Sequence, residues 1–245
     1  ASYEAIDVPT AGLVGFLTRL RTGEFVGGNV TIPHKEQVLG LCDSLDPLAM
    51  EIGAVNTPVG DAGHVRGFNT DFMGFLGNLD QNAPGWSQGL DTAIVLGAGG
   101  AARAVLLALA RRDIKTIHVL NRTLDKAQAL TRSLPGGFRP GALTDFAALA
   151  PEAGLVVNTT SIGMHGRRFD DLPLEHLPSG AVVTDIVYTP LVTPLLADAA
   201  RLGLRTVDGL GMLLHQAVPG FEAWFGVRPE VTPELRARVA ATLDH

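Results

Sequence analysis

The sequence predicts an α/β protein of two domains: a smaller α/β domain, then a doubly wound parallel sheet covered by helices. Three observations predict this class. Strand and helix patterns alternate from residue 92 onward, a glycine-rich turn follows the first of these strands, and the core residues are mainly small aliphatics. Hydrophobic residues make up 46% of the 245 residues but aromatic residues only 6%, which suits buried parallel strands.

Residues 1–80 are predicted to form the smaller domain, because alternating and helical spacings are mixed there. The expected elements are a strand at Tyr3 to Val8, a helix over 10–22, a strand at Phe25 to Ile32, helices at Glu36 to Asp43 and Asp46 to Ile52, a hairpin of Gly53 to Pro58 with His64 to Phe68, and a helix at Thr70 to Leu79. Glycines in the segment Gly60-Asp61-Ala62-Gly63 mark the hairpin turn.

Residues 81–211 are predicted to form the doubly wound domain, with the turn-rich stretch 81–91 as a linker. Strands are expected near 93–96, 116–120, 155–157, 181–185 and 204–207, and helices near 100–111, 124–133, 144–149 and 191–201. The tail predicts two helices, 211–225 and 233–243. Residues 212–245 are expected to pack back on the first domain.

A glycine-rich turn between a strand and a helix, within residues 93–110, predicts a dinucleotide-binding domain of the Rossmann type. Gly97 would allow the tight turn, and Gly99 would let the backbone approach a pyrophosphate, which the helix N-terminus favours. The predicted cofactor loop is Gly97, Ala98, Gly99, Gly100 and Ala101. The alternative is an ordinary βα turn that needs glycine.

The end of the next strand indicates which dinucleotide binds. An NAD site usually carries Asp or Glu there, but this chain has Asn121 followed by Arg122. A guanidinium can hold a 2′-phosphate through two charge-assisted hydrogen bonds. Thr123 and Lys126 can add donors, so NADP is the predicted cofactor. The alternative is that Arg122 is simply an exposed residue at a strand end.

Bulk composition excludes several other classes. The net charge is −6 and there is no dense Lys/Arg block, which argues against nucleic acid as a partner. The single cysteine, Cys42, cannot form an internal disulfide and fits a reducing compartment, so a cytoplasmic location is expected. We find no pattern typical of a signal peptide, a membrane span or a metal site.

A second group of polar residues lies in the first domain. Asn29-Val30-Thr31-Ile32-Pro33-His34-Lys35 ends a predicted strand and begins a helix, where a cation opposes the helix dipole. This mild conflict suggests a role for Lys35. Asn56 and Thr57 form a second polar site, and Asn69-Thr70-Asp71 a third. Helix capping alone would explain the third.

These motifs, in this order and over nearly the whole chain, resemble shikimate dehydrogenases. The resemblance rests on Asn29 to Lys35, Ala54 to Thr57, Asn69 to Asp71, Gly97 to Arg103, Asn121 to Thr123 and Gly209 to Gln216. It implies that Lys35 and Asp71 are the catalytic pair. It places substrate contacts at Thr31, Asn56, Thr70, Tyr188 and Gln216. It places the nicotinamide side at Thr159, Thr160, Ser161, Ile186, Gly209 and Met212.

The resemblance implies an NADP-dependent reduction of 3-dehydroshikimate, with shikimate or 3-dehydroshikimate as the small-molecule partner and a monomer or homodimer as the assembly. Ketone reduction needs a hydride, which the cofactor supplies, and a proton, which Lys35 can supply. Two alternatives stay open. One is a quinate or aminoshikimate dehydrogenase with the same catalytic pair, and the other is a non-catalytic NADP-binding paralogue.

One feature departs from the family pattern. In the family, a strand and a Ser-x-Ser motif precede the strand expected at Tyr3, and those serines bind the substrate carboxylate. Nothing in this sequence matches them. Either the sequence is trimmed at its N-terminus or the motif is truly absent, and in both cases weak shikimate binding is expected.

Overall fold

A computed structural model describes residues 2–243, which form two compact units. The first contains residues up to Thr70 together with Gly220–Arg228, and the second contains Asp71–Pro219 together with the segment from Pro229 onward. The first unit is therefore discontinuous in sequence. Both units mix helices and strands, as the predicted α/β class requires. The domain boundaries expected from the sequence, at residues 80 and 211, stay predictions.

The first unit is built on a small three-stranded sheet. Its elements are α1 (Leu13–Arg21), α2 (Lys35–Leu39), β1 (Ser44–Leu45), α3 (Pro47–Ile52), β2 (Thr57–Asp61) and β3 (His64–Phe68). The sheet order is β1-β3-β2, with β1 parallel and β2 antiparallel to β3. Leu17 and Leu20 of α1 are buried beside Val55 and Val65. The hairpin and its second strand are confirmed, but its first strand is Thr57–Asp61 and not the predicted Gly53 to Pro58. The turn is Ala62-Gly63, where φ is positive at both residues.

Two of the strands predicted for the first unit, at Tyr3 to Val8 and at Phe25 to Ile32, are not present, so these predictions are wrong. Residues 2–9 form no strand, because no strand within the described residues pairs with them. Nearly all of them are exposed. In the segment Phe25 to Ile32, only Gly27 forms an isolated bridge, to Val59. Backbone bonds from Gly28 and Val30 still tie this segment to residues 58 and 56, but the ladder is irregular. The alternating pattern of this segment therefore corresponds to an irregular stretch that lies beside β2, and not to a regular strand.

The second unit contains a six-stranded parallel sheet. Its elements are α4 (Asp71–Asn82), β4 (Thr92–Leu96), α5 (Gly100–Ala110), β5 (Thr116–Asn121), α6 (Leu124–Ser133), β6 (Phe138–Ala142), α7 (Phe146–Leu149), β7 (Leu155–Asn158), β8 (Ile162–His165), β9 (Val182–Asp185), α8 (Pro194–Arg201), β10 (Arg205–Val207), α9 (Leu210–Phe225) and α10 (Pro233–Ala240). The last residues of α9 belong to the first unit.

The strand order β6-β5-β4-β7-β9-β10 is that of a doubly wound Rossmann-type sheet. The chain moves outward from β4 to β6, then returns and continues from β7 to β10 on the other side. The five predicted strands are confirmed, but β6 was missed because Pro140 and Gly141 interrupt its pattern. Pro140 is tolerated there because β6 is an edge strand. The turn-rich residues 81–91 lie inside this unit, with Ala83 and Trp86 buried.

Helices α4 and α9 approach each other closely through glycines. A Cβ atom added to Gly74 would lie 2.6 Å from Cβ of Gln216 and 2.8 Å from the Met212 carbonyl oxygen. An added Cβ at Gly77 would lie 2.8 Å from the His215 ring. The small residues therefore bring the start of α4 and the middle of α9 together. No helix in the described residues is both long and apolar enough to span a membrane.

Candidate active site

A cleft of about 550 Å³ opens in the second unit at the carboxyl ends of β4, β5 and β7. This is the point where the strand order reverses, the usual ligand position in open α/β sheets. The predicted residues Gly97, Asn121 and Arg122 line it, together with Thr160 and Ser161. The cleft volume falls within the range typical of small-molecule and cofactor sites.

The glycine turn forms one wall of the cleft and fits a bound pyrophosphate. Gly97 has φ 108°, and an added Cβ would lie 2.8 Å from both Thr159 Oγ1 and Thr160 Cγ2. Gly99 is the N-cap of α5 and gives the helix no side-chain cap. An added Cβ at Gly99 would meet nothing within 4 Å, so a phosphate can approach the uncapped helix N-terminus. Gly100 and Ala101 form the first turn of α5, directly after Ala98 and Gly99.

At the end of β5 the residues that predicted NADP are accessible. Asn121 donates from Nδ2 to the Thr123 carbonyl oxygen at 2.8 Å, which fixes the turn into α6. The Arg122 side chain is exposed and forms no ion pair within residues 2–243. Lys126 lies in the first turn of α6 and, like Thr123, does not line the cleft. Of the two cations predicted from the sequence to bind the cofactor, Arg122 and Lys126, only Arg122 is therefore among the described residues that line the cleft.

Buried polar residues hold the loops that follow β7 and β9. The Asp185 carboxylate accepts hydrogen bonds from Asn158 Nδ2 at 2.9 Å, Val187 N at 2.9 Å and Thr193 Oγ1 at 2.8 Å. Burial raises the pKa of Asp185 to about 6, although the three donors oppose this shift. No pattern in the sequence indicated this role, because a lone Asp after a strand is common.

The predicted nicotinamide-side residues lie on these loops and on the turn before α9. Thr159 is buried and donates from Oγ1 to the Leu96 carbonyl oxygen at 2.7 Å. Ile186 N donates to the Asn158 carbonyl oxygen at 3.1 Å. A Cβ added to Gly209 would lie 2.5 Å from the Ile186 carbonyl oxygen, so these two backbones touch. Met212 is buried in the first turn of α9.

In the first unit, the structure brings the predicted polar residues onto adjoining segments. Val30 N donates to the Asn56 carbonyl oxygen at 2.7 Å, and Val55 N donates to the Lys35 carbonyl oxygen at 2.8 Å. The segment of Thr31 and the start of α2 therefore flank Asn56. Asn56 Nδ2 donates to Thr70 Oγ1 at 3.0 Å, while Thr70 N donates to Asn56 Oδ1 at 2.8 Å.

The remaining predicted residues belong to the second unit. Asp71 is buried and begins α4. Gln216 packs against Gly74, one turn further along α4, so Asp71 and Gln216 occupy neighbouring turns of packed helices. Tyr188 is half-buried and follows the loop that Asp185 holds.

The structure also adds residues that the sequence analysis missed. The segment 167–173, after β8, forms a second wall of the cleft and contributes Arg167, Arg168 and Phe169. Arg167 donates from Nη2 to the carbonyl oxygen and to Oγ of Ser161, at 3.1 and 3.0 Å. The only signal in the sequence is an adjacent pair of arginines after Gly166, which by itself does not point to a ligand.

Comparisons with known proteins agree with this geometry. Residues 1–57 match the shikimate dehydrogenase substrate binding domain, residues 84–210 match shikimate / quinate 5-dehydrogenase, and residues 209–233 match the shikimate 5′-dehydrogenase C-terminal domain. A shikimate dehydrogenase (NADP⁺) from Nitrobacter hamburgensis is 54% identical over 241 residues, which cover 98% of this chain and 84% of that protein.

Two solved structures are also similar over nearly the whole chain. The first is shikimate 5-dehydrogenase from Thermus thermophilus with NADP(H) and shikimate. It is 38% identical with a TM-score of 0.86, and the match covers 99% of this chain and 88% of that one. The second is quinate dehydrogenase from Corynebacterium glutamicum with NAD, at 32% identity and a TM-score of 0.85, covering 98% and 85%. On its sequence, its fold and the arrangement of its polar residues, the chain belongs to the shikimate dehydrogenase family.

Proposed function

We propose that the chain is an NADP-dependent shikimate dehydrogenase, which catalyses the reversible reduction of 3-dehydroshikimate to shikimate. The observation that carries the proposal is the polar cluster of the first unit. Lys35, Asn56 and Thr70 lie on adjoining segments there, as a substrate with several hydroxyl groups requires. The family and the NADP dependence predicted from the sequence are confirmed by relatives such as the Nitrobacter enzyme. The individual residue roles below are proposals.

The cofactor half of the reaction belongs to the cleft of the second unit. When bound, NADPH supplies the hydride. The uncapped N-terminus of α5 favours the pyrophosphate, and Gly99 leaves room for its approach. Arg122 favours the 2′-phosphate, and the uncharged Asn121 does not repel it. Thr159, Ile186, Gly209 and Met212 are proposed to line the nicotinamide side.

The proton half is proposed for Lys35 and Asp71. The carbonyl oxygen of the substrate becomes a hydroxyl oxygen, so it needs a proton as the hydride reaches the carbon. A lysine ammonium can donate that proton, and in the reverse direction the amine can accept it. Asp71 is proposed to orient the reacting group. Asn56 and Thr70 supply both donors and acceptors for ring hydroxyls, as we also propose for Thr31, Tyr188 and Gln216.

Substitution of Lys35 tests the proposal. Loss of a general acid typically lowers the rate by about 10²- to 10⁴-fold, so Lys35→Ala should lower kcat for shikimate far more than it raises KM. Lys115→Ala is the matched control, because Lys115 is exposed and, within residues 2–243, forms an ion pair with the exposed Asp91. An unchanged kcat with a raised KM would assign Lys35 to substrate binding.

A substrate panel separates the alternatives. Shikimate, quinate and aminoshikimate should be compared by kcat/KM with NADP⁺ and with NAD⁺. The proposal predicts that shikimate with NADP⁺ gives the highest value. A higher value for quinate would make the chain a quinate dehydrogenase. Turnover of none of them, with NADP⁺ still bound, would favour the non-catalytic paralogue. A cytoplasmic location and a monomeric or homodimeric state stay predictions.

A further inference from the structure

The segment after β8 turns back sharply and places two arginines, Arg167 and Arg168, at the wall of the cleft in the second unit. His165 and Gly166 have φ of 55° and 71°. Backbone bonds from Gly166 N to the Gly163 carbonyl oxygen and from Arg167 N to the Met164 carbonyl oxygen close the turn, each at 3.2 Å. The two Arg167–Ser161 hydrogen bonds then tie the guanidinium to the residues that follow β7. The Arg167 head group is therefore held although its side chain is exposed.

The two neighbouring arginines have different partners. Arg168 Nη1 donates to both carboxylate oxygens of Asp198 on α8, at 2.7 and 3.1 Å. Its charge is therefore already paired. Arg167 has only the neutral oxygens of Ser161 as described partners, which occupy Nη2 alone. Its Nη1 and Nε groups lie on different edges of the guanidinium and keep N–H donors, each of which can bind one phosphate oxygen.

The anchor indicates which part of the cofactor Arg167 can reach. Ser161 directly follows Thr159 and Thr160, which touch Gly97 at the glycine turn. Arg167 is thus tied to the side of the cleft where the N-terminus of α5 favours the pyrophosphate. Arg122 instead lies at the end of β5. Asp170 and Asp171 also line the cleft, and their charges would oppose a phosphate unless a cation offset them.

We propose that Arg167 is a second cofactor-binding arginine, which holds the pyrophosphate shared by NADP and NAD, whereas Arg122 reads the 2′-phosphate. This inference rests on the proposed function of the cleft as a dinucleotide site. It divides the binding of the cofactor between two cations. Arg167 contributes affinity for any adenine dinucleotide, and Arg122 contributes the choice between them.

Calorimetric titration of four ligands separates these roles: NADP⁺, NAD⁺, ADP and adenosine 2′-monophosphate. Arg167→Ala should weaken NADP⁺, NAD⁺ and ADP by a similar factor of about tenfold or more, and should leave the 2′-monophosphate unchanged. Arg122→Ala should weaken NADP⁺ and the 2′-monophosphate only. Arg201→Ala is the matched control and should leave all four affinities unchanged, because Arg201 is an exposed arginine that pairs with Asp198 and does not line the cleft. Arg167→Lys, which keeps the charge but not the planar fork, should recover part of the ADP affinity.

The outcomes are distinguishable. Arg167→Ala with unchanged ADP affinity overturns the inference, and so does a loss confined to NADP⁺ and the 2′-monophosphate. An equal loss in Arg201→Ala also overturns it, because the effect would then reflect the general charge of the protein. If the unsubstituted chain binds none of the four ligands, the proposed function fails together with the inference. Circular dichroism of each variant confirms that the fold is kept.

Discussion

The close contact between α4 and α9 predicts that one added methyl group lowers both stability and activity. The substitution is Gly74→Ala. The added Cβ would lie 2.6 Å from Cβ of Gln216, 2.8 Å from the Met212 carbonyl oxygen and 3.1 Å from Cα of Gln216. Two of these three atoms are backbone atoms, so a change of rotamer cannot relieve the overlap. The helices must separate instead, until the added Cβ reaches an ordinary contact distance of about 3.5–4.0 Å from these atoms.

Two opposing effects set the size of the change. Replacing glycine by alanine inside a helix stabilises it by about 0.5–1 kcal/mol. Overpacking a well-packed contact costs about 1–3 kcal/mol. Because the contact here is with backbone, we expect the upper part of that range and a net loss of about 1–2 kcal/mol. Activity should fall too, since the displaced helices carry Asp71 and Gln216.

A matched control isolates the contact from helix propensity. Gly15 lies in α1, and a Cβ added there would meet nothing within 4 Å, so Gly15→Ala should stabilise the protein by about 0.5–1 kcal/mol. Urea unfolding followed by circular dichroism, with kcat/KM for shikimate, measures both variants. The reasoning is refuted if Gly74→Ala is as stabilising as Gly15→Ala, or if it keeps full activity.

Three further predictions concern charged and titratable groups. Arg122→Ala should weaken NADPH binding by about 1.5–3 kcal/mol and change NADH little; an equal loss for both cofactors, measured by titration, would make Arg122 purely structural. Asp185 has a pKa raised by burial from 3.8 to about 6, so its protonation favours the folded state and its stabilising contribution is lost as pH rises through 6. The free energy of unfolding should therefore fall by on the order of 1 kcal/mol more between pH 5 and 7 than it does in Asp185→Asn; parallel pH profiles would contradict this. Burial also raises the pKa of Cys42 to about 11, so the native thiol should react with iodoacetamide at pH 8 far more slowly than the unfolded thiol; equal rates would be inconsistent with that burial.

Local patterns predicted the second unit better than the first. The strands of the parallel sheet are short runs of buried aliphatics, and the turn at Gly97 has a fixed backbone requirement, so neither depends on distant residues. The segments at Tyr3 and Phe25 alternate as strands do, but a strand also needs a partner, which the sequence around it does not specify. Arg167 was missed for a similar reason, because only the fold brings the segment after β8 to the cleft.

The discontinuity of the first unit has a consequence for the order of folding during synthesis. Residues 220–228 belong to that unit, and Trp224 packs so closely on Gly27 that no side chain fits there. Most of the unit, up to Thr70, precedes the second unit in the sequence, yet it lacks this tryptophan until the ribosome has translated most of the second unit. The first unit therefore cannot complete its folding until most of the second unit has been translated, although domains generally fold in order from the N-terminus. We expect a chain that ends before residue 220 to contain an incomplete, protease-sensitive first unit, although all six strands of the parallel sheet in the second unit are already present.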